Sequence, residues 1–265
     1  MIILLIQFKS NDEFIYKKKI TRRQGASSGE IEDYIAVEKK LRVSLNGKHI
    51  INLLCTPLMI EELINGLFLT EGILTERVLP EDMKIDFSEE ISIDINAKTS
   101  DISELTTSRC LGGITFNKKR TFEKINNTVT ISSETIQNLF EEFHQKSELF
   151  RLTGCFHSAA LSDGEKIIAF AEDVGRHNAV DKIIGAAILE DILFKGTLLL
   201  VSCRLSSEIV SKCSRWKVPI LASRTAPTDL AIEIAEKSGI TLIGFVRGER
   251  LNVYTHAHRI HPIKS

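Results

Sequence analysis

The sequence predicts an α/β protein: a small α+β segment followed by a domain in which strands and helices alternate. Three observations carry that reading. Beyond Gly196, short apolar runs at 198–201, 219–222 and 241–246 alternate with helical runs at 206–213 and 227–237, as in parallel β-α-β crossovers with both sheet faces covered. Before them, the apolar run 166–171 leads into EDVGRHNAVDKIIG (172–185), where Ala179, Val180, Ile183 and Ile184 recur at helical spacing, so the stretch reads as strand, loop, helix. Nearer the start, Leu41, Val43 and Leu45 alternate up to an Asn46-Gly47 turn, with a second strand at 50–54, the signature of a β-hairpin.

Taken in order, the elements divide the chain into four parts. Residues 1–31 read as a flexible leader: the apolar start MIILLIQF is too short for a signal core or a membrane span and suits an edge strand, and residues 9–30 are polar and rich in Lys, Arg, Ser and Gly. Residues 32–98 form a small α+β domain. After the hairpin, Thr56 and Pro57 suit N-cap and N1 of a helix carrying Ile60, Leu63, Ile64, Leu67 and Phe68, and Ile91, Ile93 and Ile95 alternate as a further strand. Residues 99–128 have little apolar periodicity and read as a connecting loop holding Cys110. Residues 129–265 form the α/β domain, opening with a helix capped by Ser133 whose buried face is Ile136, Leu139, Phe140 and Phe143.

Composition narrows the function. The 265 residues suffice for one large or two modest domains, and 43% apolar with 26% charged residues is ordinary for a soluble chain. A formal net charge of −1 argues against a general nucleic-acid or membrane-surface binder, which needs an excess of Lys and Arg. Five cysteines, an odd number without short paired spacing, favour reduced thiols and a cytoplasmic setting.

Candidate chemistry gathers at strand ends. In open parallel sheets ligands bind beyond the carboxyl ends of the strands. Those ends carry Ser202-Cys203-Arg204, Ser223-Arg224-Thr225 and Arg247-Gly248-Glu249-Arg250. Arginine at three corresponding positions of a nearly neutral chain points to an anion with several phosphates or carboxylates, held by fork-shaped donors; scattered surface arginines are the plain alternative. The joint at 172–185 adds Asp173, Arg176, His177, Asn178 and Asp181, where a helix N-terminus favours anions, although Asn178 as N-cap and Asp181 at N3 also explain a simple helix start.

Cys55, Cys155, Cys203 and Cys213 sit among apolar residues or within predicted elements, as small buried hydrophobes do. Cys110 differs: Arg109 precedes it and Leu111-Gly112-Gly113 follow in a polar loop, a setting that favours an accessible thiolate able to take up a persulfide sulfur. His256 and His258 would share a strand face, with His261 close by, but no Cys or carboxylate stands at a matching short spacing for zinc.

These segments together resemble the FdhD/NarQ family, the formate dehydrogenase accessory sulfurtransferases. The resemblance runs from about residue 34 to 259 through CTPLMIEELINGLFLTEGI (55–73), TGCFHSAAL (153–161), EDVGRHNAVDKIIG, SCRLSSE (202–208), APTDLAIEIA (226–235) and GFVRGERLNVYTH (244–256). It implies a small α+β roll before a three-layer domain similar to the cytidine deaminase core, and a homodimer. It further implies that sulfur passes as a cysteine persulfide from a cysteine desulfurase to the molybdenum bis(molybdopterin guanine dinucleotide) cofactor for formate dehydrogenase. By the same resemblance Cys110 takes the persulfide position and residues 245–250 belong to the cofactor site; a carrier that only binds and delivers the cofactor is the alternative. A zinc nucleotide deaminase lacks its His-x-Glu and Pro-Cys-x-x-Cys pattern here. Two departures stand out. The family's Cys-x-x-Cys is reduced to Cys110-Leu111-Gly112-Gly113, and two of its glycines are Cys155 and Cys203.

Overall fold

The structure, a computed structural model, describes residues 14–87, 90–98, 107–110, 113–116, 124–126 and 129–262, with the backbone alone at 107–110 and 113–116. The apolar start at 1–8 and most of the 99–128 connection lie outside the described residues.

The expected leader is in large part a ribbon. Strands β1 (Ile15–Gln24) and β2 (Ser27–Ala36) pair antiparallel through ten registered positions. The polarity that suggests disorder here reflects strands exposed on both faces, not missing structure.

The small unit holds β3 (Lys39–Leu45), β4 (Lys48–Cys55), α1 (Ile60–Glu71), β5 (Met83–Phe87) and β6 (Ile91–Ile95), with sheet order β4-β3-β6-β5. Asn46 and Gly47 take positive φ of 51° and 76°, as a two-residue hairpin turn requires. The helix starts later than Thr56-Pro57 suggests. The Thr56 amide donates to Asp173 Oδ2 at 3.0 Å and its hydroxyl accepts from the Val174 amide at 3.2 Å, so Thr56 is committed to the other unit and Met59 becomes the N-cap.

Two short strands, β7 (Thr107–Cys110) and β8 (Gly113–Phe116), then form a hairpin in which Cys110 pairs with Gly113, and β8 lies against a later helix. Strand β9 (Ile131–Ser132) precedes α2 (Ser133–Lys146), capped one residue earlier than expected by Ser132, whose hydroxyl accepts from the Thr135 amide at 3.0 Å.

After α3 (Glu148–Thr153) come β10 (His157–Ser162), β11 (Ile167–Asp173), α4 (Arg176–Leu189), β12 (Leu198–Val201), α5 (Ser207–Arg215), β13 (Ile220–Ser223), α6 (Asp229–Ser238), β14 (Thr241–Arg247), β15 (Arg250–Val253) and β16 (Ile260–His261). The main sheet runs β11-β10-β12-β13-β14-β15. Strands β12, β13 and β14 are parallel, as the crossover pattern requires, whereas β10 and β15 run antiparallel to their neighbours. Alternation along these strands feeds two cores: Leu199, Val201, Leu221 and Leu242 pack under α4, α5 and α6, while Leu198, Leu200, Ile220 and Ile243 meet Ile136, Leu139 and Phe143 of α2. The result is three layers.

Helices α1 and α4 join the two units with their backbones almost touching. A Cβ on Gly66 would sit 1.8 Å from the Asp181 carbonyl oxygen, and one on Gly185 would sit 1.9 Å from that of Glu62.

A basic sheet edge as candidate functional site

Because β10 is antiparallel to both β11 and β12, the carboxyl ends of β11, β12, β13 and β14 share one edge. Helices α4, α5 and α6 begin there, and their first-turn N–H groups face it. Thr228 caps α6, its hydroxyl accepting from the Ala231 amide at 3.3 Å, but the N-caps Gly175 and Ser206 of α4 and α5 supply no side-chain cap. The connections at this edge carry Arg176, Arg204, Arg224, Arg247 and Arg250, together with Ser202. Topology thus brings together the arginines that the sequence spaces across 75 residues.

On the α2 side, Arg247 Nε donates to the Arg224 carbonyl at 3.1 Å, and Arg224 Nη1 lies 3.3 Å from His144 Nδ1. These groups, with Gln137, Glu141, Gly248 and the buried Phe140 and Val246, line a cavity of about 130 Å³. Beside it the Arg250 guanidinium lies 5.0 Å from the centroid of Phe245, a residue held at φ 54° with its amide donating to the Thr225 carbonyl at 3.1 Å. Glu249 is exposed at the turn between β14 and β15.

On the α4 side, the Ser202 hydroxyl accepts from the Ser158 amide at 2.9 Å and lies 3.5 Å from His157 Nδ1. Burial, then the Arg176 charge, holds the His157 imidazole below its ordinary 6.5, so the ring is neutral at neutral pH. His157 and His144 carry no spacing signal in the sequence; only their position at this edge marks them.

Three members of the 172–185 segment are placed differently from the sequence reading. Asn178 is no N-cap: the helix begins at Arg176 because Asp173 Oδ1 accepts from the Gly175 amide at 2.7 Å, and the Asn178 amide is spent on Leu54 O at 2.8 Å and Asp173 Oδ1 at 2.9 Å. His177 is buried, its Nε2 2.9 Å from Glu208 Oε2 on α5. Asp181 lies one turn further along the same helix face, also buried, with Lys212 Nζ donating to its Oδ1 at 2.6 Å and Oδ2 at 2.8 Å. Lys212 also reaches Glu71 Oε1 at 3.3 Å and donates to the Thr70 hydroxyl at 3.0 Å. Burial opposes the Lys212 charge, but Asp181 and Glu71 outweigh it and hold the ammonium above its usual range. Burial also pushes the Asp181 carboxyl up, with Lys212 acting against it. Two carboxylates around one ammonium at these distances keep the proton on Lys212. Asp181 therefore ties α1, α4 and α5 together and does not face the crevice. The helical period that stacks His177 on Asp181 turns both toward neighbouring helices.

A second buried pair locks the same joint. Lys182 Nζ and Asp173 Oδ2 are 2.6 Å apart, both side chains fully buried, and Lys182 also donates to Thr56 O at 3.1 Å.

The Cys110 side chain lies outside the described residues. Burial pushes the Cys55 thiol up to about 12 and Cys203 to about 11, and raises Cys213 as well; Arg176 and Arg204 pull against burial at Cys203. Cys155 departs from the expected burial: it is exposed, directly after Gly154 at φ 70°, because the chain bends there before entering β10. Brief alkylation of the native protein at neutral pH should modify Cys155 and spare Cys55, Cys203 and Cys213, read by peptide mass spectrometry; labelling of Cys203 at the rate of Cys155 would contradict the burial.

His256 and His258 do not share a strand face. Residues Ala257–Arg259 form a 3₁₀ turn, the two rings meet edge to face at 5.9 Å, and among the described residues no three His, Cys, Asp or Glu converge as metal ligands. Among them, too, no helix is long and apolar enough to cross a membrane.

A family model described as the FdhD/NarQ family matches residues 36–261. The chain is 35% identical to the sulfur carrier protein FdhD of Bacillus subtilis, over 94% of this chain and 99% of that one. It is 37% identical to the protein of that name from Wolinella succinogenes, over 95% and 91%. A crystal structure described as a formate dehydrogenase accessory protein from Desulfotalea psychrophila superposes with a TM-score of 0.80 at 26% identity, covering 94% of this chain and 100% of that one.

Proposed function

The chain belongs to the FdhD/NarQ family, and from that premise we propose that it is a sulfurtransferase acting in the cytoplasm as a homodimer. It accepts sulfur from a cysteine desulfurase as a persulfide on Cys110 and delivers it to the molybdenum bis(molybdopterin guanine dinucleotide) cofactor, the cargo required by formate dehydrogenase. The observation that carries this reading is the convergence of Arg176, Arg204, Arg224 and Arg247 on one sheet edge, with Arg224 and Arg247 lining a cavity. Guanidinium forks and open helix N-termini match the pyrophosphates of a dinucleotide. Kinship of the three-layer domain with the cytidine deaminase core, and of the small unit with a roll, is part of the same reading.

Loading conserves electrons. The Cys110 thiolate attacks the outer sulfur of the desulfurase persulfide, a new S–S bond forms on Cys110, the old one breaks, and the desulfurase cysteine leaves as thiolate. Incubation with a cysteine desulfurase and sulfur-labelled cysteine should label the wild type and leave Cys110→Ala unlabelled. Arg224→Ala and Arg247→Ala should keep the label but fail to restore formate dehydrogenase in a host lacking this accessory protein. Full label retention by Cys110→Ala sinks the proposal.

The rival reading, a carrier without sulfur chemistry, draws on one observation: the residue paired with Cys110 across the hairpin is Gly113, so the second thiol of the family's Cys-x-x-Cys is missing from the facing position. On that reading Cys110→Ala restores formate dehydrogenase as well as the wild type does.

A further inference from the structure

The ribbon of β1 and β2 turns its more apolar face away from the other described residues. Successive strand residues alternate between faces, and the register assigns them. Ile15 and Ala36 share one face and pack at the base of the ribbon against Leu149 and Phe156. That face continues outward as Lys17 with Tyr34, Lys19 with Glu32 and Thr21 with Glu30, the Lys17 ammonium lying 5.5 Å from the Tyr34 ring centroid. The opposite face carries Tyr16 with Ile35, Lys18 with Asp33 and Ile20 with Ile31. Tyr16 is 48% exposed, the three isoleucines are partly exposed, and among the described residues none of the four joins an apolar core. A two-stranded hairpin is marginal alone in water, so an outward apolar stripe on one needs a surface to cover it.

We infer that the covering surface is the same face of a second copy, the two ribbons stacking about a two-fold axis that runs along their length. The charges select this occupant and this axis. With it, β1 of one copy lies over β2 of the other, Lys18 meets the partner's Asp33 in both directions beside the 3.6 Å pair that Asp33 makes with Arg22 of its own ribbon, and Ile20 and Ile31 form the centre. An axis across the ribbon would instead set Lys18 over the partner's Arg22. Edge-to-edge pairing of β1 with itself would oppose strands that each carry Lys17, Lys18, Lys19, Arg22 and Arg23, which like-charge repulsion disfavours. Ten residues span about 33 Å and two strands about 10 Å, well under the surface each partner gives to a standard interface, so the dimer should be concentration-dependent. The interface gives the homodimer of the proposed function a location, and it rests on no part of the sulfur chemistry.

Sedimentation of the full chain, 29.7 kDa per copy, tests it. The wild type should pass from monomer to dimer with rising concentration, and Lys18→Asp, Asp33→Lys and Ile20→Glu should each lose the dimer. An equimolar mixture of Lys18→Asp with Asp33→Lys should recover it, because both intermolecular pairs are restored while each ribbon keeps a like-charged pair within itself. Recovery by mixing cannot come from repaired folding. A mixture that stays monomeric, or a dimer indifferent to all three substitutions, overturns the ribbon interface and leaves dimerisation elsewhere standing. A wild type that is monomeric at every concentration overturns both.

Discussion

Lys212→Met should destabilise the fold by about 3–5 kcal/mol at neutral pH, the cost of removing one partner from a buried ion pair, and lower the melting temperature by roughly 10 °C. Lys212 is 2% exposed at the side chain, and four oxygens on two other helices converge on it: both of Asp181, Oε1 of Glu71 and the Thr70 hydroxyl. Thioether carbon would fill the space and leave those oxygens without their cation. The pH dependence follows from Asp181, whose carboxyl burial already raises and which would lose the charge that holds it down. A carboxyl whose folded pKa exceeds its unfolded one contributes most when protonated in both states, and that contribution is lost as pH rises through the folded value. The stability gap between variant and wild type should therefore narrow on acidification. Thermal melts across the acidic range check this; a gap that widens toward low pH would show that the oxygens are not buried charges.

Gly185→Ala should cost at least about 3 kcal/mol, the upper end for overpacking, and lower the melting temperature by about 6–12 °C, although alanine is the better helix former. The added Cβ would lie 1.9 Å from Glu62 O and 2.8 Å from the Gly66 amide nitrogen. Both obstacles are backbone, so no side chain can swing aside and α1 must move off α4. That shift strains the clasp beyond it, where Thr56 meets Asp173 and Asn178 meets Leu54, and with it the start of α4 at Arg176. Calorimetry of Gly185→Ala beside an exposed control, Gly29→Ala, which meets nothing within 4 Å, separates the effect from a general glycine penalty; equal melting temperatures would refute it.

Much of the fold was legible because its signals are local. The Asn46-Gly47 turn, the apolar face of α2 and the alternation of β12, α5, β13, α6 and β14 each depend on residues within about a dozen positions, and each forms where periodicity puts it. The two misread caps share one cause. Thr56 has the chemistry of a helix cap and Asn178 likewise, yet both spend their hydrogen bonds on partners more than 100 residues away in the chain. Cys155, in an apolar context, is exposed for a local reason, the left-handed glycine that bends the chain ahead of it. No window of sequence contains the distant partners of Thr56 and Asn178.

The sequence by itself determined which residues are chemically able to grip an anion, and that they follow strand ends, because residue type and hydrophobic period are local properties of the chain. Only the tertiary structure decided which of them act together. It gathered Arg176, Arg204, Arg224 and Arg247 on one edge, brought His144 to that cavity, and withdrew Asp181 into a buried tie with Lys212. The physical reason is that strand order and helix docking are set by long-range burial of apolar surface, and a charged side chain caught on the buried face of a helix must find its partner there or not fold.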